Sequence, residues 1–394
     1  MQKNLTNFRK RFPVLRGRVY LNSCSQGALS DKVENAMREY LGTWHLHGSP
    51  WDLWIEEYEA GRRLFAELIG ADPREIALVA SASAGVNSLA SALSFQQRKK
   101  VVLGEFEFPT MGHVWLAQRP RGAEVVFAPA EQNRLRWEAY DSLIDQSTLI
   151  VPLTHMCFMN GFRSPVAEIV NMAHDRGALV LLDDYQDCGT RSIDVRKLGV
   201  DAYVSGTLKY LLGPPGLAFM YVREALAESL IPTVTGWFGQ TNPFAFDVKR
   251  FDPAPGARRF ESGTPPIPTI YGAIAGVRLL QELGLDVVAD TVRTLTQALI
   301  KGAHGMGVQL KTPLDSVGPL VVLQSRNADK LVQLFAEQQV VCSSRHDGLR
   351  ISFHAYNTLE DVNHVLDLIS RNITMFVTSQ LSSPAPNFEV RTAN

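Results

Sequence analysis

Residues 178–216 read ALVLLDDYQDCGTRSIDVRKLGVDAYVSGTLKYLLGPPG. Two short apolar runs in this stretch, ALVLLDD and AYVSG, are rich in strand-forming residues and indicate strands buried on both faces, as in a parallel sheet. Asp183 ends the first run, and Lys209 follows the second. Ligands of open α/β sheets bind beyond the carboxyl ends of the strands. The stretch therefore predicts both a fold class and the place of a site.

Similar runs occur on both sides of this stretch, and helical patterns separate them. They are IALVA from residue 76, VVLGEF from 101, AEVVFAP from 123, LIVPLTH from 149 and LAFMYV from 217. Together the seven runs predict an α/β fold with a large, mainly parallel, seven-stranded sheet domain. After residue 269, helical patterns and short apolar runs predict a smaller α+β C-terminal domain.

The domain boundaries follow from the same patterns. We expect a large domain over residues 15–265, a small domain formed by residues 1–14 together with 266–378, and a flexible tail over 379–394. The stretch 231–268 is rich in Pro, Gly and aromatic residues and lacks a regular pattern. An irregular segment of this length is usually functional or covers an interface.

Composition excludes several classes of protein. Of the 394 residues, 45% are hydrophobic and 20% are charged, which is typical of a globular protein. A formal net charge of -1 gives no field that would gather nucleic acid or an acidic membrane. The four cysteines are scattered without a CxxC pair, so we expect neither a metal site nor a disulfide framework. No leader-like or membrane-spanning run is visible, and we expect a cytoplasmic protein.

Three residues at predicted strand ends carry chemistry together. Ser83 lies in a small-residue turn before a helix, Asp183 is a carboxylate, and Lys209 is an amine. Taken singly, they are commonly a turn residue, a helix cap and a solvated charge. Together they provide a phosphate cradle, a carboxylate for a pyridine nitrogen and an amine for an aldehyde, which are the groups that a pyridoxal phosphate enzyme requires.

Motifs along most of the chain support this interpretation. They are YLNSCSQGALS near the start, SASAGVNSLA, GEFEFPTMGHVW, the DxxQ pattern at residue 183, GTLKYLLGPPG, ESGTPP, and LRISFHAYNTLEDV near the end. With these motifs the sequence resembles the class V aminotransferase group of fold-type-I pyridoxal phosphate enzymes. Relatives in that group include cysteine desulfurases, selenocysteine lyases, kynureninases and isopenicillin-epimerase-like proteins.

The resemblance implies roles for residues around the cofactor. Lys209 would form the Schiff base and move the substrate α-proton, and Asp183 would pair with the pyridine nitrogen. Gln186 would donate to the phenolic oxygen of the ring, and Phe108 would stack on it. The phosphate would be bound by the loop of Ser81, Ala82, Ser83 and Ala84 and by Thr207, with Ser205 a weaker candidate.

The resemblance also implies a substrate side and a homodimer with shared active sites. Arg350 would bind the α-carboxylate of an amino acid, with Asn22 and Ser25 nearby. Thr264 would contact the phosphate of the neighbouring subunit. His45, His47 and Trp237 are further candidates for the pocket wall, with ordinary surface or core roles as the alternative.

Three departures from the group affect the expected reaction. The acceptor-cysteine loop of one class of desulfurases is missing, and Cys342 lies in what reads as a strand, where a buried thiol is the more natural interpretation. Phe108 replaces the histidine that stacks on the ring in desulfurases, and Phe158 stands where they usually have asparagine.

The expected activity is transamination or C–S or C–C lyase chemistry on a small amino acid. Alternatives are a cysteine desulfurase or selenocysteine lyase that uses Cys342, an amino-acid epimerase, and a non-catalytic regulator that binds pyridoxal phosphate. A nicotinamide-dependent dehydrogenase is disfavoured because no GxGxxG turn follows a first strand.

Overall fold

The protein is described by a computed structural model that covers residues 2–379. The predicted tail over 379–394 lies, apart from its first residue, outside the described residues. The α-helices in chain order are α1 (Gln2–Arg9), α2 (Asp31–His47), α3 (Trp51–Ile69), α4 (Ala82–Ala92), α5 (Pro109–Leu116), α6 (Trp137–Asp141), α7 (Val166–Asp175), α8 (Val195–Leu198), α9 (Glu224–Ser229), α10 (Ile267–Leu283), α11 (Leu285–Gly305), α12 (Ala328–Glu337) and α13 (Leu359–Arg371).

The strands include all seven that the sequence predicts. They are β1 (Val19–Tyr20), β2 (Ile76–Val79), β3 (Lys100–Gly104), β4 (Glu124–Ala128), β5 (Thr148–Thr154), β6 (Leu179–Asp183), β7 (Ala202–Gly206), β8 (Ala218–Val222), β9 (Leu320–Gln324), β10 (Val340–Val341), β11 (Ser343–Arg345) and β12 (Gly348–Ser352). Strands β2 to β8 form one sheet in the order β2-β8-β7-β6-β5-β3-β4. Only β8 runs against the other strands of this sheet. The predicted large, mainly parallel sheet is confirmed.

The large sheet is covered on both faces. Leu181 and Leu182 are neighbours in β6, and both are fully buried. Successive side chains of a strand point to opposite faces, so Leu181 packs in one apolar cluster and Leu182 in the other. This two-sided burial explains why the strands read as continuous apolar runs rather than as alternating ones.

A second group of strands forms the smaller α+β part. Strands β9, β11 and β12 make an antiparallel sheet, and β1 pairs in parallel with β10. The N-terminal strand β1 thus pairs within the small part, although the predicted boundary places residues from 15 onward in the large domain. Helix α10, assigned to the small domain, packs against α2 and α3. The division into domains stays a prediction, and these two features cross its boundaries.

No helix among residues 2–379 is both long and apolar enough to cross a bilayer. The four cysteines are free and buried.

A buried ion pair fastens the irregular stretch 231–268 to the large domain. Glu261 and Arg62 are both almost fully buried, and Arg62 Nη1 lies 2.7 Å from Glu261 Oε1. The same carboxylate oxygen accepts a hydrogen bond from the Leu78 amide at 2.9 Å, and Arg62 also donates to the Ile76 carbonyl. The pair therefore joins α3, the edge of β2 and the irregular stretch at one point.

Replacing Arg62 with methionine should destabilise the fold by about 3–5 kcal/mol, because buried Glu261 would lose its nearer cation and keep only Arg258, at 4.0 Å. Chemical denaturation followed by tryptophan fluorescence measures this loss. The matched control is Arg371→Met, which breaks the exposed pair with Asp367 and should cost about 0.5 kcal/mol or less. Equal losses in the two variants would contradict the assignment.

Candidate active site

A cavity of about 360 Å³ opens at the carboxyl edge of the large sheet. Its wall comes from the segments that follow β2, β3, β5, β6 and β7, together with the β11–β12 hairpin and residues just after β1. All five of these large-sheet strands run in the same direction, so their carboxyl ends meet at one edge. The cavity lies where the sequence places the site.

Lys209 lies in this wall, in the loop between β7 and β8. Its Nζ is 4.3 Å from the centre of the Tyr185 ring and 5.8 Å from the centre of the Phe108 ring. Burial lowers the pKa of this amine from 10.5 to about 8, against the opposing effect of the nearby Asp183 carboxylate. A large fraction of the amine is therefore neutral and nucleophilic slightly above neutral pH.

Asp183 ends β6 and also faces the cavity. Burial raises the pKa of its carboxyl group to about 6, although the Tyr185 amide donates to Oδ1 at 3.1 Å and Lys209 lies nearby. A buried carboxylate that lacks a fixed counterion is stabilised by any cation placed beside it. This is the electrostatic environment expected of a partner for a protonated ring nitrogen.

Gln186 faces the cavity, as its predicted role requires. Its Nε2 donates to the Cys24 carbonyl at 3.0 Å, and within the described residues its buried Oε1 has no hydrogen-bond partner. The NH2 group has two N–H donors, and the Cys24 carbonyl takes one of them. The second donor is left for the role that the resemblance assigns, and that role stays a prediction.

The start of α4 lies in the cavity wall, where the sequence predicts an anion cradle. Ser81 caps the helix, with its Oγ accepting from the Ala84 amide at 3.1 Å, so that amide is not free for a ligand. Ser81, Ala82 and Ser83 line the cavity, whereas Ala84 does not. The Ser83 hydroxyl donates to Thr110 Oγ1 at 3.3 Å. The open first turn of a helix with hydroxyl groups beside it suits a phosphate.

Aromatic rings bound the cavity on two sides. Phe108 caps α5 and is 43% exposed, and its ring meets the edge of Phe158 at a centroid distance of 5.0 Å. Tyr185 packs over Gly206, where a side-chain carbon on the glycine would collide with the phenol ring. An aromatic face open to the cavity is what the predicted stacking role of Phe108 requires.

Arg350 is a buried cation without an anionic partner. The side chain is 1% exposed, and no carboxylate of the described residues lies within ion-pair distance of it. Its guanidinium donates to the Phe158 carbonyl at 2.7 Å, to Ser25 Oγ at 2.8 Å, and to Ser343 Oγ at 3.0 and 3.2 Å. These bonds fix the guanidinium in the cavity wall, where its unbalanced charge suits a carboxylate.

Several predicted residues lie away from this cavity. Thr207 is buried and its hydroxyl donates to the Pro214 carbonyl at 2.6 Å, while Ser205 is buried in β7. Asn22 is half-buried next to the wall but does not line it. Thr264 is exposed outside the cavity of its own chain. The roles of these four residues stay predictions.

The three further candidates also lie elsewhere. His45 and His47 are exposed at the end of α2, and Trp237 belongs to an aromatic group outside the cavity wall.

Three titratable residues of the cavity wall were not predicted. Tyr185 lies inside the DxxQ pattern and Cys24 inside the LNSCSQG turn, so their positions between predicted residues could have identified them. Arg345 lies five residues before Arg350, and only the hairpin geometry brings both to the cavity.

The comparisons with known proteins agree with this geometry. A sequence profile described as Aminotransferase class-V matches residues 19–365. The chain belongs to the class V aminotransferase family. It is 34% identical to the uncharacterized aminotransferase YcbU of Bacillus subtilis (strain 168), over 92% of this chain and 96% of that protein. As a member of this family, the chain is a pyridoxal phosphate-dependent enzyme.

Other relatives carry different reaction names. A kynureninase of Pseudomonas fluorescens is 28% identical over 74% of this chain and 70% of that protein. The apo structure of a cysteine desulfurase from Thermococcus onnurineus NA1 superposes with a TM-score of 0.86 at 22% identity, covering 94% of this chain and 98% of the other. The latter likeness confirms the fold, and the family membership leaves the reaction of this chain open.

The cavity residues fit the cofactor of this family. Four groups face the same cavity. They are the first turn of α4 at Ser83, the Lys209 amine with its lowered pKa, the buried carboxyl group of Asp183 and the aromatic ring of Phe108. These groups match the phosphate, the aldehyde, the pyridine nitrogen and the ring face of pyridoxal phosphate, respectively.

The lowered pKa of Lys209 predicts how the apoprotein takes up the cofactor. Only the neutral amine can attack an aldehyde, so the rate of covalent attachment should rise with pH and level off above about pH 8. Borohydride trapping followed by mass spectrometry measures the rate. The control is free lysine with its α-amino group acetylated, in the same buffers. Its attachment rate should keep rising beyond pH 10. A protein profile that follows the free lysine would refute the shifted pKa.

Proposed function

We propose that this enzyme acts on a small amino acid, by transamination or by C–S or C–C lyase chemistry. The observation that carries the proposal is that two groups line one cavity. They are the Lys209 amine, whose pKa is lowered to about 8, and the buried Arg350 guanidinium, which has no carboxylate partner among residues 2–379. An amine that can exchange a proton and a cation that can bind a carboxylate are the two groups needed to handle an α-amino acid.

Each residue then has a distinct task. Arg350 binds the substrate carboxylate and, because Ser25 and Ser343 fix its guanidinium, orients the α-carbon. Lys209 would hold the cofactor through Nζ and, once the substrate amine has displaced it, would accept the α-proton on the freed Nζ. Asp183 keeps a proton on the ring nitrogen of the cofactor, because a carboxylate stabilises an adjacent cation. The bound cofactor supplies an electron sink for the bond that breaks.

The surroundings favour proton transfer over exchange with water. Phe108, Phe158 and Met156 line the cavity and present apolar surface on the side of Arg350 and Lys209. Removing water strengthens the contacts of these charged groups with a substrate. Phe108 has no titratable atom, so Lys209 is the proposed proton carrier.

Lys209→Ala should abolish turnover, because no other lysine of residues 2–379 lines the cavity. The matched control is Lys301→Ala, which removes an exposed lysine from α11 and should leave the rate unchanged. Activity is measured with a panel of amino acids, with and without keto acids, by assaying pyruvate, sulfide, ammonia and new amino acids. Repeated turnover by a pure, folded Lys209→Ala protein would refute the proposal.

The same panel separates the remaining alternatives. New amino acids formed only with a keto acid indicate a transaminase, whereas pyruvate with ammonia, or sulfide with alanine, indicates lyase or desulfurase chemistry. Inversion of an amino acid indicates an epimerase. If no amino acid perturbs the absorption of the bound cofactor, a regulatory role replaces catalysis.

The structure changes which thiol would serve a desulfurase. Cys342 lies outside the cavity wall, and burial raises the pKa of its thiol to about 12. Cys24 is the cysteine that lines the cavity. Sulfide release from cysteine that is lost in Cys24→Ser and kept in Cys342→Ser would favour a desulfurase with an unusual acceptor.

We further propose a cytoplasmic homodimer with shared active sites. A surface that we call the aromatic face carries Trp51, Trp237 and Phe246, with ring centroids 6.4 and 6.1 Å apart along the series. Phe246 is 77% exposed, and Val248 beside it is 96% exposed. Apolar patches of this kind mark interaction surfaces. Thr264, also exposed, would then reach the phosphate of the second copy, as the family resemblance implies.

Phe246→Asp combined with Val248→Asp should convert the dimer to a monomer, because the two charges would be buried without partners. Light scattering after size-exclusion chromatography measures the mass. Leu359→Asp, which changes an exposed leucine at the start of α13, is the control and should stay dimeric. A wild-type monomer, or a dimeric double variant, would contradict the proposed interface.

A further inference from the structure

A second guanidinium faces the proposed substrate space. Arg345 and Arg350 both line the cavity, and both belong to the β11–β12 hairpin. In that hairpin Ser343 pairs with Arg350, and Arg345 pairs with Gly348. Directly paired residues share a face, as do residues two apart on one strand, so Ser343, Arg345 and Arg350 lie on the same face.

The hairpin sets the distance between the two cations. Ser343 is opposite Arg350, and Arg345 lies two residues further along β11. Two residues of a strand span roughly 7 Å, so the backbone positions of the two arginines are offset by that length along the hairpin. The cross-strand partner of Arg345 is Gly348, so no side chain stands directly opposite Arg345. A ligand held by Arg350 can therefore extend along the hairpin toward Arg345.

The charges of the cavity are not balanced. Lys209, Arg345 and Arg350 line it, while Asp183 is the carboxylate in the same wall. Among residues 2–379, no carboxylate forms an ion pair with Arg345. Its Nη1 donates a hydrogen bond to the Ser344 carbonyl at 2.7 Å. Loss of hydration and the neighbouring Arg350 charge lower the pKa of Arg345.

Other arginines close to the site differ in this respect. Arg163 and Arg191 both bind the Asp187 carboxylate, at 3.0 and 2.6 Å. Their charge is satisfied within the protein, whereas the two guanidiniums of the hairpin keep donors for a ligand. Arg345 donates one hydrogen bond and keeps enough N–H groups to bind a carboxylate through two parallel bonds. Arg350 already donates four hydrogen bonds and keeps one N–H of Nη1 for a ligand.

We propose that the pocket selects an amino acid with a carboxylate on its side chain, as in aspartate or glutamate. Arg350 binds the α-carboxylate, Arg345 binds the side-chain carboxylate, and the intervening carbon chain lies against the apolar wall at Phe158 and Met156. This inference rests on the function proposed above, in which Arg350 receives the α-carboxylate.

Binding of unreactive acids to the holoenzyme tests the inference without turnover. Succinate and glutarate are titrated against butyrate, and the absorption of the bound cofactor reports occupancy. The dicarboxylates should bind wild type at least about tenfold more tightly than butyrate, since a second charge-assisted pair forms. Arg345→Gln should lose this preference, and Arg345→Lys should retain part of it.

His346→Asn is the matched control, because it changes the turn of the same hairpin and should keep the preference. In turnover, Arg345→Gln should raise KM for aspartate and glutamate by tenfold or more and leave neutral amino acids unaffected. Equal binding of succinate and butyrate by wild type would overturn the inference. So would cofactor loss in Arg345→Gln, since Arg345 would then serve the cofactor.

The two proposals can fail separately. If neutral amino acids react and acidic ones do not, the acidic selectivity is wrong while the proposed function stands. If no amino acid of either class perturbs the cofactor, the proposed function itself fails.

Discussion

The inverted strand β8 is the constraint on which the site depends. It lies between β2 and β7 and runs against both, so the chain leaving β7 turns back at the same edge of the sheet. Lys209 lies in that returning loop. Because neighbouring strands are about 4.8 Å apart, the helix start after β2 and the loop after β7 are held roughly 10 Å from each other. The sheet fixes this spacing before any ligand binds.

A buried network of side-chain hydrogen bonds joins the loop after β6 to the core of the large domain. Asp184 follows the cavity residue Asp183 but points into the core, where it binds His155 Nδ1 at 2.8 Å and the Tyr203 hydroxyl at 2.6 Å. Asp184, Asp187 and His155 could form a metal site by distance alone. Arg191 binds both His155 and Asp187, however, so its guanidinium already supplies the positive charge that a metal ion would bring. The network connects the loop after β6 to His155, just after β5, and to Tyr203 in β7.

The sequence predicts the fold well because the strands are buried on both faces. Continuous apolar runs at β5, β6 and β7 therefore mark strands without help from tertiary contacts. The same logic locates Asp183 and Lys209, since strand ends follow from strand positions. Arg350 came from the family resemblance, and its lack of a counterion became visible only in the folded chain.

What the sequence does not predict depends on side-chain direction. The Thr207 hydroxyl turns to a loop carbonyl, and the amide of Gln186 binds Cys24, because local hydrogen bonds decide such orientations. Arg345 was missed because its relation to Arg350 arises from hairpin register rather than from a motif. The domain boundary near residue 15 is similarly hard to place, as β1 pairs with a strand more than 300 residues away.

The packing of Tyr185 over Gly206 links two positions in the history of this enzyme. Any side chain at 206 would need the volume that the phenol now fills, so a larger residue there requires a smaller one at 185. A larger residue at 206 alone overpacks the site, and a smaller residue at 185 alone leaves a cavity, so either single exchange is costly. Related enzymes should therefore carry either tyrosine at 185 with glycine at 206, or a small residue at 185 with a larger one at 206. The residue pair at these two positions then distinguishes the lineages.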